Sequence, residues 1–256
     1  MQKWTVANQK GGVGKTTTVI TLAGLLAEAG QRVLMVDMDP QASLTQYLGQ
    51  NCELPHLFGL FRDRQDLNAE RVRQTLVTLP WVGMSLLAAS PLLATVEKLG
   101  AQQGGMGMGK VLGDILQMLE NDFDRVLIDT SPTLGVLLVN ALACADRLIL
   151  PVQTEFLALK GLERMLRTLG MVMRSQQRDL PYMILPTLYD KRTLASQQCL
   201  QQLRQTYGEA VATVVIGIDT RFRDASQAGV PPSLFGAHSR GVQAYREWLQ
   251  QQGELP

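Results

Sequence analysis

The nonapeptide Gln9-Lys10-Gly11-Gly12-Val13-Gly14-Lys15-Thr16-Thr17 constrains this chain more than any other stretch. An apolar run at 4–7 precedes it as a strand would, and apolar residues at helical spacing follow over 18–29. Strand, glycine loop, then helix aims several backbone N–H groups and a helix N-terminus at one spot, which suits a phosphate. Gly11, Gly12 and Gly14 let the backbone curl without Cβ clashes, Lys15 would reach terminal phosphates, and the Thr16 hydroxyl would ligate Mg²⁺. The plain phosphate-loop pattern has glycine where this chain has Gln9, and an additional lysine, Lys10, stands ahead of the glycines. A ligand-free connecting turn is the competing reading, and the Gly-Lys-Thr-Thr ending with correct flanks argues against it. The bland reading of Lys10 is a solvated loop charge, which weakens as the rest of the chain is read.

Beyond the loop, short apolar strands alternate with helical patterns. The alternation predicts an α/β fold built on a doubly wound, mainly parallel sheet flanked by helices. The run at 32–36 ends in Asp37-Met38-Asp39-Pro40-Gln41, at the strand end where ligand chemistry sits in open α/β sheets. One of the two carboxylates is free to act as a turn or cap residue before a helix over 42–48, and that role suits Asp37 better than Asp39. The run at 123–128 delivers Asp129, placed as an acid that holds Mg²⁺ directly or through water. Further strands are expected at 84–89, 147–151, 183–188 and 211–218. Helices are expected over 92–99, 111–119, 133–143, 194–206 and 239–251, with a long one after Glu155. Residues 49–80 read as short helices and loops, with His56 solvated or satisfied. The stretch 100–109, rich in glycine, reads as a mobile loop with no Lys-Thr ending to make a phosphate cradle.

Composition narrows the partners. At 256 residues and 46% hydrophobic content, one domain over 1–256 is expected. With 24 basic residues against 23 acidic, nucleic-acid contact must come from a local patch. Lys160, Arg164, Arg167, Arg174 and Arg178 form a candidate stripe, read either as a solvated face or as a contact surface for phosphate backbone or an acidic partner. Cys52, Cys144 and Cys199 stand singly, against a disulfide framework, a zinc site or an Fe–S cluster, and a reducing cytoplasm fits. No signal peptide or apolar run of spanning length is found. The helix at 239–251 carries only Arg240, Arg246 and Glu247, which is no basic face for a membrane surface.

Five ordered blocks carry a family resemblance: the loop from Lys10 to Thr17, Val36-Asp37-Met38-Asp39-Pro40-Gln41, Leu127-Ile128-Asp129-Thr130-Ser131-Pro132, Pro151-Val152-Gln153-Thr154-Glu155, and Leu188-Tyr189-Asp190-Lys191-Arg192-Thr193. The chain resembles the ParA/MinD group of deviant Walker A ATPases, ParA-type partition proteins most closely. The resemblance implies ATP and Mg²⁺ as cofactors and a homodimer sandwiching ATP, with Lys10 reaching the partner's phosphates. It implies that Lys15 grips the β/γ-phosphates, Thr17 supports the α-phosphate, Asp129 is the Walker B acid, Asp39 positions the attacking water, and Thr16, Asp39 and Asp129 form the metal site. It places the adenine near Pro186, Thr187 and Asp219, and non-specific DNA contacts at Arg192 and Arg221 with Lys191 and Arg223. The implied protein is a cytoplasmic, nucleoid-associated ATPase that positions a plasmid, a chromosome origin or a carboxysome-like assembly. A ParB-like or analogous adaptor would stimulate hydrolysis. No N-terminal helix-turn-helix is seen, so operator repression is not expected. A MinD-like membrane switch and a scaffold with negligible turnover are the rival readings.

Overall fold

A strand that is apolar on both faces is stable only when helices cover it, and the apolar runs of this chain satisfy that condition by pairing side by side. The computed structural model describes residues 1–54, 56–102 and 109–255. The chain begins with β1 (Gln2–Val6), α1 (Lys15–Glu28), β2 (Val33–Met38), α2 (Ser43–Tyr47), α3 (His56–Arg62), α4 (Ala69–Thr75), β3 (Val77–Thr78) and β4 (Met84–Leu87). The middle holds α5 (Leu93–Gln102), α6 (Val111–Gln117), β5 (Arg125–Thr130), α7 (Val136–Cys144), β6 (Arg147–Gln153) and α8 (Phe156–Gln176). It ends with β7 (Tyr182–Thr187), α9 (Leu194–Tyr207), α10 (Arg221–Ala228), α11 (Pro232–Phe235) and α12 (Arg240–Gln251).

The sheet order is β3-β4-β2-β5-β1-β6-β7, parallel except for β3 against β4. Register decides what the sheet does with its acids. Asp37 pairs with Asp129, and Val6 pairs with Asp129 on the other side, so both carboxylates emerge beside the loop that leaves β1. β2 and β5 are buried along their whole length, which explains their near-continuous apolar sequence.

Helix α1 is wrapped by the sheet, α11 and α12, and every residue from Thr18 to Leu26 is buried. Trp248 of α12 meets Trp4 of β1 edge to face at 6.0 Å, a geometry worth about 0.5–1.5 kcal/mol beyond area burial. The Arg125 guanidinium lies over the Trp4 ring at 4.1 Å and pairs with Glu254, fastening the C-terminal residues under the sheet.

The structure corrects the expected layout at several points. Residues 211–218 do not form a strand; they run beside β7 with isolated bridges at Val211 and Gly217. The Ala212 amide donates to the Ile184 carbonyl and the Ile216 amide to the Pro186 carbonyl, both at 2.8 Å, so four residues advance against two of β7 and the register breaks between them, where Pro186 also has no N–H to donate. β3 was not expected within 49–80. α5 extends to Gln102, taking residues 100–102 from the expected loop, while 103–108 lie outside the described residues. α7 starts at Val136, not 133, because Glu97 of α5 accepts from the Val136 and Leu137 amides and caps it there. Arg178 leaves the basic stripe altogether. It lies past the end of α8, and its guanidinium donates to the Leu142 and Ala145 carbonyls.

Candidate nucleotide-binding site

The glycine loop sits at the carboxyl end of the sheet, where it borders a cleft of about 960 Å³. Gly12 (φ 75°) and Gly14 (φ 88°) occupy the left-handed region, which a side chain would make costly. Gly14 is the N-cap of α1 and offers no side-chain cap, so the first amides of the helix remain for an anion. The loop is pinned from behind. The Gly14 carbonyl accepts from the Thr18 amide (2.9 Å) and hydroxyl (2.7 Å), and the Val13 carbonyl accepts from the Thr187 hydroxyl at 2.9 Å. Tyr245 of α12 reaches the Thr18 hydroxyl at 2.7 Å.

Gly11, Gly12, Val13, Gly14, Lys15, Thr16, Thr17 and Asp39 all line this cleft. Thr16 Oγ1 donates to Asp129 Oδ2 at 2.6 Å, and Lys15 Nζ donates to the Lys10 carbonyl at 3.2 Å. Burial pushes the Asp129 carboxyl up to about 8, with the neighbouring Asp37 charge adding to it and Thr16 and Lys15 opposing it. Burial also lowers the Lys15 ammonium, against the pull of Asp129 and Asp39. Burial thus leaves Asp129, behind the cleft, a carboxylate that added positive charge would stabilise. A hydroxyl and one or two carboxylates, with substrate phosphates and water completing the shell, are the hard oxygen donors that suit Mg²⁺. Among the described residues no group of three or more His, Cys, Asp or Glu is placed to form an all-protein cage.

The two acids at the end of β2 divide their work. Asp37 is fully buried, accepts from the Thr45 amide (2.9 Å) and hydroxyl (2.7 Å) and from the Asp39 amide (3.0 Å), and holds the turn. Asp39 bonds the Gln41 amide at 2.9 Å and faces the cleft.

Lys10 behaves unlike Lys15. It is absent from the cleft lining, and its ammonium lies at the rim against Glu155, with Gln153 Oε1 at 3.0 Å. Asn8 positions it, accepting from the Lys10 amide at 3.0 Å while donating to the Pro151 carbonyl at 2.8 Å. Gln9, which stands where the plain pattern has glycine, donates to Thr168 Oγ1 at 2.8 Å and ties the loop to α8.

At the far wall, Leu188, Gly217, Ile218 and Asp219 line the cleft with Thr187, whereas Pro186 is buried inside β7. The Asp219 carboxylate is held by the Arg221 and Gly241 amides at 2.9 and 2.8 Å. Phe222, Arg223 and Gln227 of α10 and Gln41, Gln46 and Tyr47 around α2 also line it, and apart from Arg223 none of these was a candidate site residue from the sequence. The DNA candidates are scattered. Arg192 projects from the surface but is held in a two-pronged pair by Asp190, whose carboxyl it pulls down to about 2. Arg221 lies 3.9 Å from Asp224, Lys191 is exposed, and Arg223 borders the nucleotide cleft.

A protein-family model described as an AAA domain matches residues 1–182. The chromosome-partitioning ATPase Soj of Thermus thermophilus is 40% identical over 244 residues, covering 94% of this chain and 91% of Soj. A solved structure named as cobyrinic acid a,c-diamide synthase of Mycobacterium smegmatis, with bound ATP analogue and magnesium, is 36% identical. It covers 96% of this chain and 92% of its own with a TM-score of 0.81. A Cyanothece McdA–ATP complex shares the fold at TM-score 0.86, with 21% identity and coverage of 99% and 96%. Full-length kinship to Soj, an extra lysine ahead of the glycines, and a threonine–aspartate pair at the cleft agree: the chain belongs to the ParA/MinD family of deviant Walker A ATPases.

Proposed function

We propose that this ATPase is a positioning switch. ATP closes a homodimer, the dimer binds nucleoid DNA without sequence preference, and an adaptor on the cargo triggers the hydrolysis that releases it. The kinship to chromosome-partitioning ATPases supports cargo positioning. The observation that carries the dimer is the division between the two lysines: Lys15 points into its own cleft and Lys10 stands outside it at the rim. Placed there, Lys10 is available to a nucleotide held by a second copy, where a cation would offset charge developing on the transferred phosphoryl group. Within each chain, Lys15 and the α1 amides bind the phosphates, Thr16 and Asp129 hold Mg²⁺, Thr17 backs the α-phosphate, and Asp39 orients water. The metal supplies neutralisation of the β- and γ-phosphate charge.

DNA contacts at Arg192, Arg221 and Lys191 belong to the same proposal, as do a ParB-like adaptor and a nucleoid location. A membrane-surface role for α12 is disfavoured, because Val242, Tyr245, Trp248 and Leu249 are buried in the core and leave it no free apolar face. Among the described residues no helix is long and apolar enough to cross a membrane. The test is Lys10→Ala, with nucleotide binding and mass in solution measured in Mg²⁺ and a slowly hydrolysed ATP analogue. Retained nucleotide binding with loss of the dimer is expected. A dimer of wild-type strength would overturn the cross-subunit role.

A further inference from the structure

From the placement of its charges we infer that the outer face of α8 is a binding surface for nucleic-acid phosphate backbone, separate from the arginines near the C-terminus. This surface rests on the DNA-binding reading above.

Lys160, Arg164, Arg167 and Arg174 are all exposed, while Leu162, Met165, Leu169, Val172 and Met173 on the opposite side are buried in the core. Steps of four, three and seven residues keep the four cations within an arc of about 80° and spread them over about 21 Å of helix axis. The helix carries four basic residues and one acid, Glu163. Arg164 and Arg174 have no side-chain hydrogen bond or ion pair among the described residues, and Lys160 only approaches the Phe156 ring at 6.0 Å. Arg167 stands 3.9 Å from Glu163.

Several arginines elsewhere are matched by a carboxylate, Arg32 by Asp124, Arg73 by Asp122, Arg192 by Asp190 and Arg246 by Glu28, whereas on α8 three of the four cations have no carboxylate partner among the described residues and stand together on one face. Like charges three and four residues apart cost a few tenths of a kcal/mol per pair, and a polyanion removes that cost. Three of the four are arginines, whose guanidinium forks match phosphate oxygens in pairs. An acidic protein partner would favour apolar anchors at the centre of the patch, and here only Met171 is available, with Phe156 and Leu157 at one end. The helix that carries the stripe is tied to the nucleotide loop through the Gln9–Thr168 bond and, at its N-cap, the Lys10–Glu155 pair.

The test uses the full chain with Mg²⁺ and a slowly hydrolysed ATP analogue, and follows anisotropy of a labelled random-sequence duplex through a salt titration. The variants are Arg164→Ala/Arg167→Ala/Arg174→Ala and, separately, Arg192→Glu/Arg221→Glu. Each phosphate contact contributes about 0.9 to the slope of log affinity against log salt. The triple α8 variant is expected to flatten that slope by roughly 2–3 per protomer and to weaken binding more than tenfold, with ATP binding and thermal unfolding unchanged. Wild-type affinity and slope in the triple variant, with loss confined to the Arg192/Arg221 variant, would overturn the α8 surface while sparing the DNA reading. No duplex binding by the wild-type protein would overturn both. Tight binding of polyglutamate but not of duplex would reassign the face to an acidic protein and also overturn it.

Discussion

If the cross-subunit role of Lys10 is right, the lysine must leave the Glu155 carboxylate before it can cross to a second chain. Glu155→Gln keeps the length and a hydrogen-bond acceptor but removes the charge that holds it. The two side chains are 27% and 42% exposed, so solvent screens the pair and it is worth about 0.5–1 kcal/mol, in the range of surface ion pairs. Losing that much raises the free-lysine population roughly 2–5-fold in each chain. A dimer uses two such lysines, so its dissociation constant should tighten by roughly 5–25-fold. The measurement is sedimentation velocity over a concentration series in Mg²⁺ and ATP, on an Asp39→Ala background so that hydrolysis does not drain the dimer. An unchanged constant would show that the pair is no restraint. A weaker dimer would show that Glu155 serves the closed state, and the restraint argument would fail.

Two further outcomes follow from packing and charge. A Cβ at Gly241 would overlap the Phe222 ring, which lines the cleft and meets Tyr245 edge to face at 6.0 Å. Gly241→Ala should therefore cost about 1–3 kcal/mol in urea unfolding and weaken ATP binding roughly fivefold for each 1 kcal/mol reaching the cleft. Adding Phe222→Leu should restore stability, and wild-type unfolding and affinity in the single variant would refute the packing. Asp124 accepts from the Arg32 guanidinium and amide, which hold its carboxyl down at about 2. Because the folded value is depressed, this contribution to stability is complete above pH about 4 and is lost as pH falls through about 2. Carboxyl-carbon NMR should show the low value in the wild type and a partial rise toward about 4 in Arg32→Ala, where the residue 32 amide still donates; an unchanged value in that variant would refute the guanidinium pairing.

The sequence by itself determined the frame and its chemistry. Glycines at 12 and 14 are legible because only glycine takes those positive φ values without strain, and Lys15, Thr16 and Asp129 are legible because phosphate and Mg²⁺ chemistry dictates residue type and spacing. The parallel strands were legible because burial on both faces demands continuous apolar runs. What only the tertiary structure decided are contacts between residues far apart in the chain. Thr187 holds the loop carbonyl of Val13, Tyr245 reaches Thr18, Glu97 caps α7, and the 211–218 run fails as a strand because its register against β7 breaks between Ala212 and Ile216. The same holds for charge. Arg178 and the α8 arginines look alike in sequence, yet one is committed to carbonyls beyond the helix end and the others face water. Lys10 shows both sides: its presence ahead of the glycines was written in the sequence, while its orientation away from its own cleft was set by Gln153 and Glu155, which only folding brings to it.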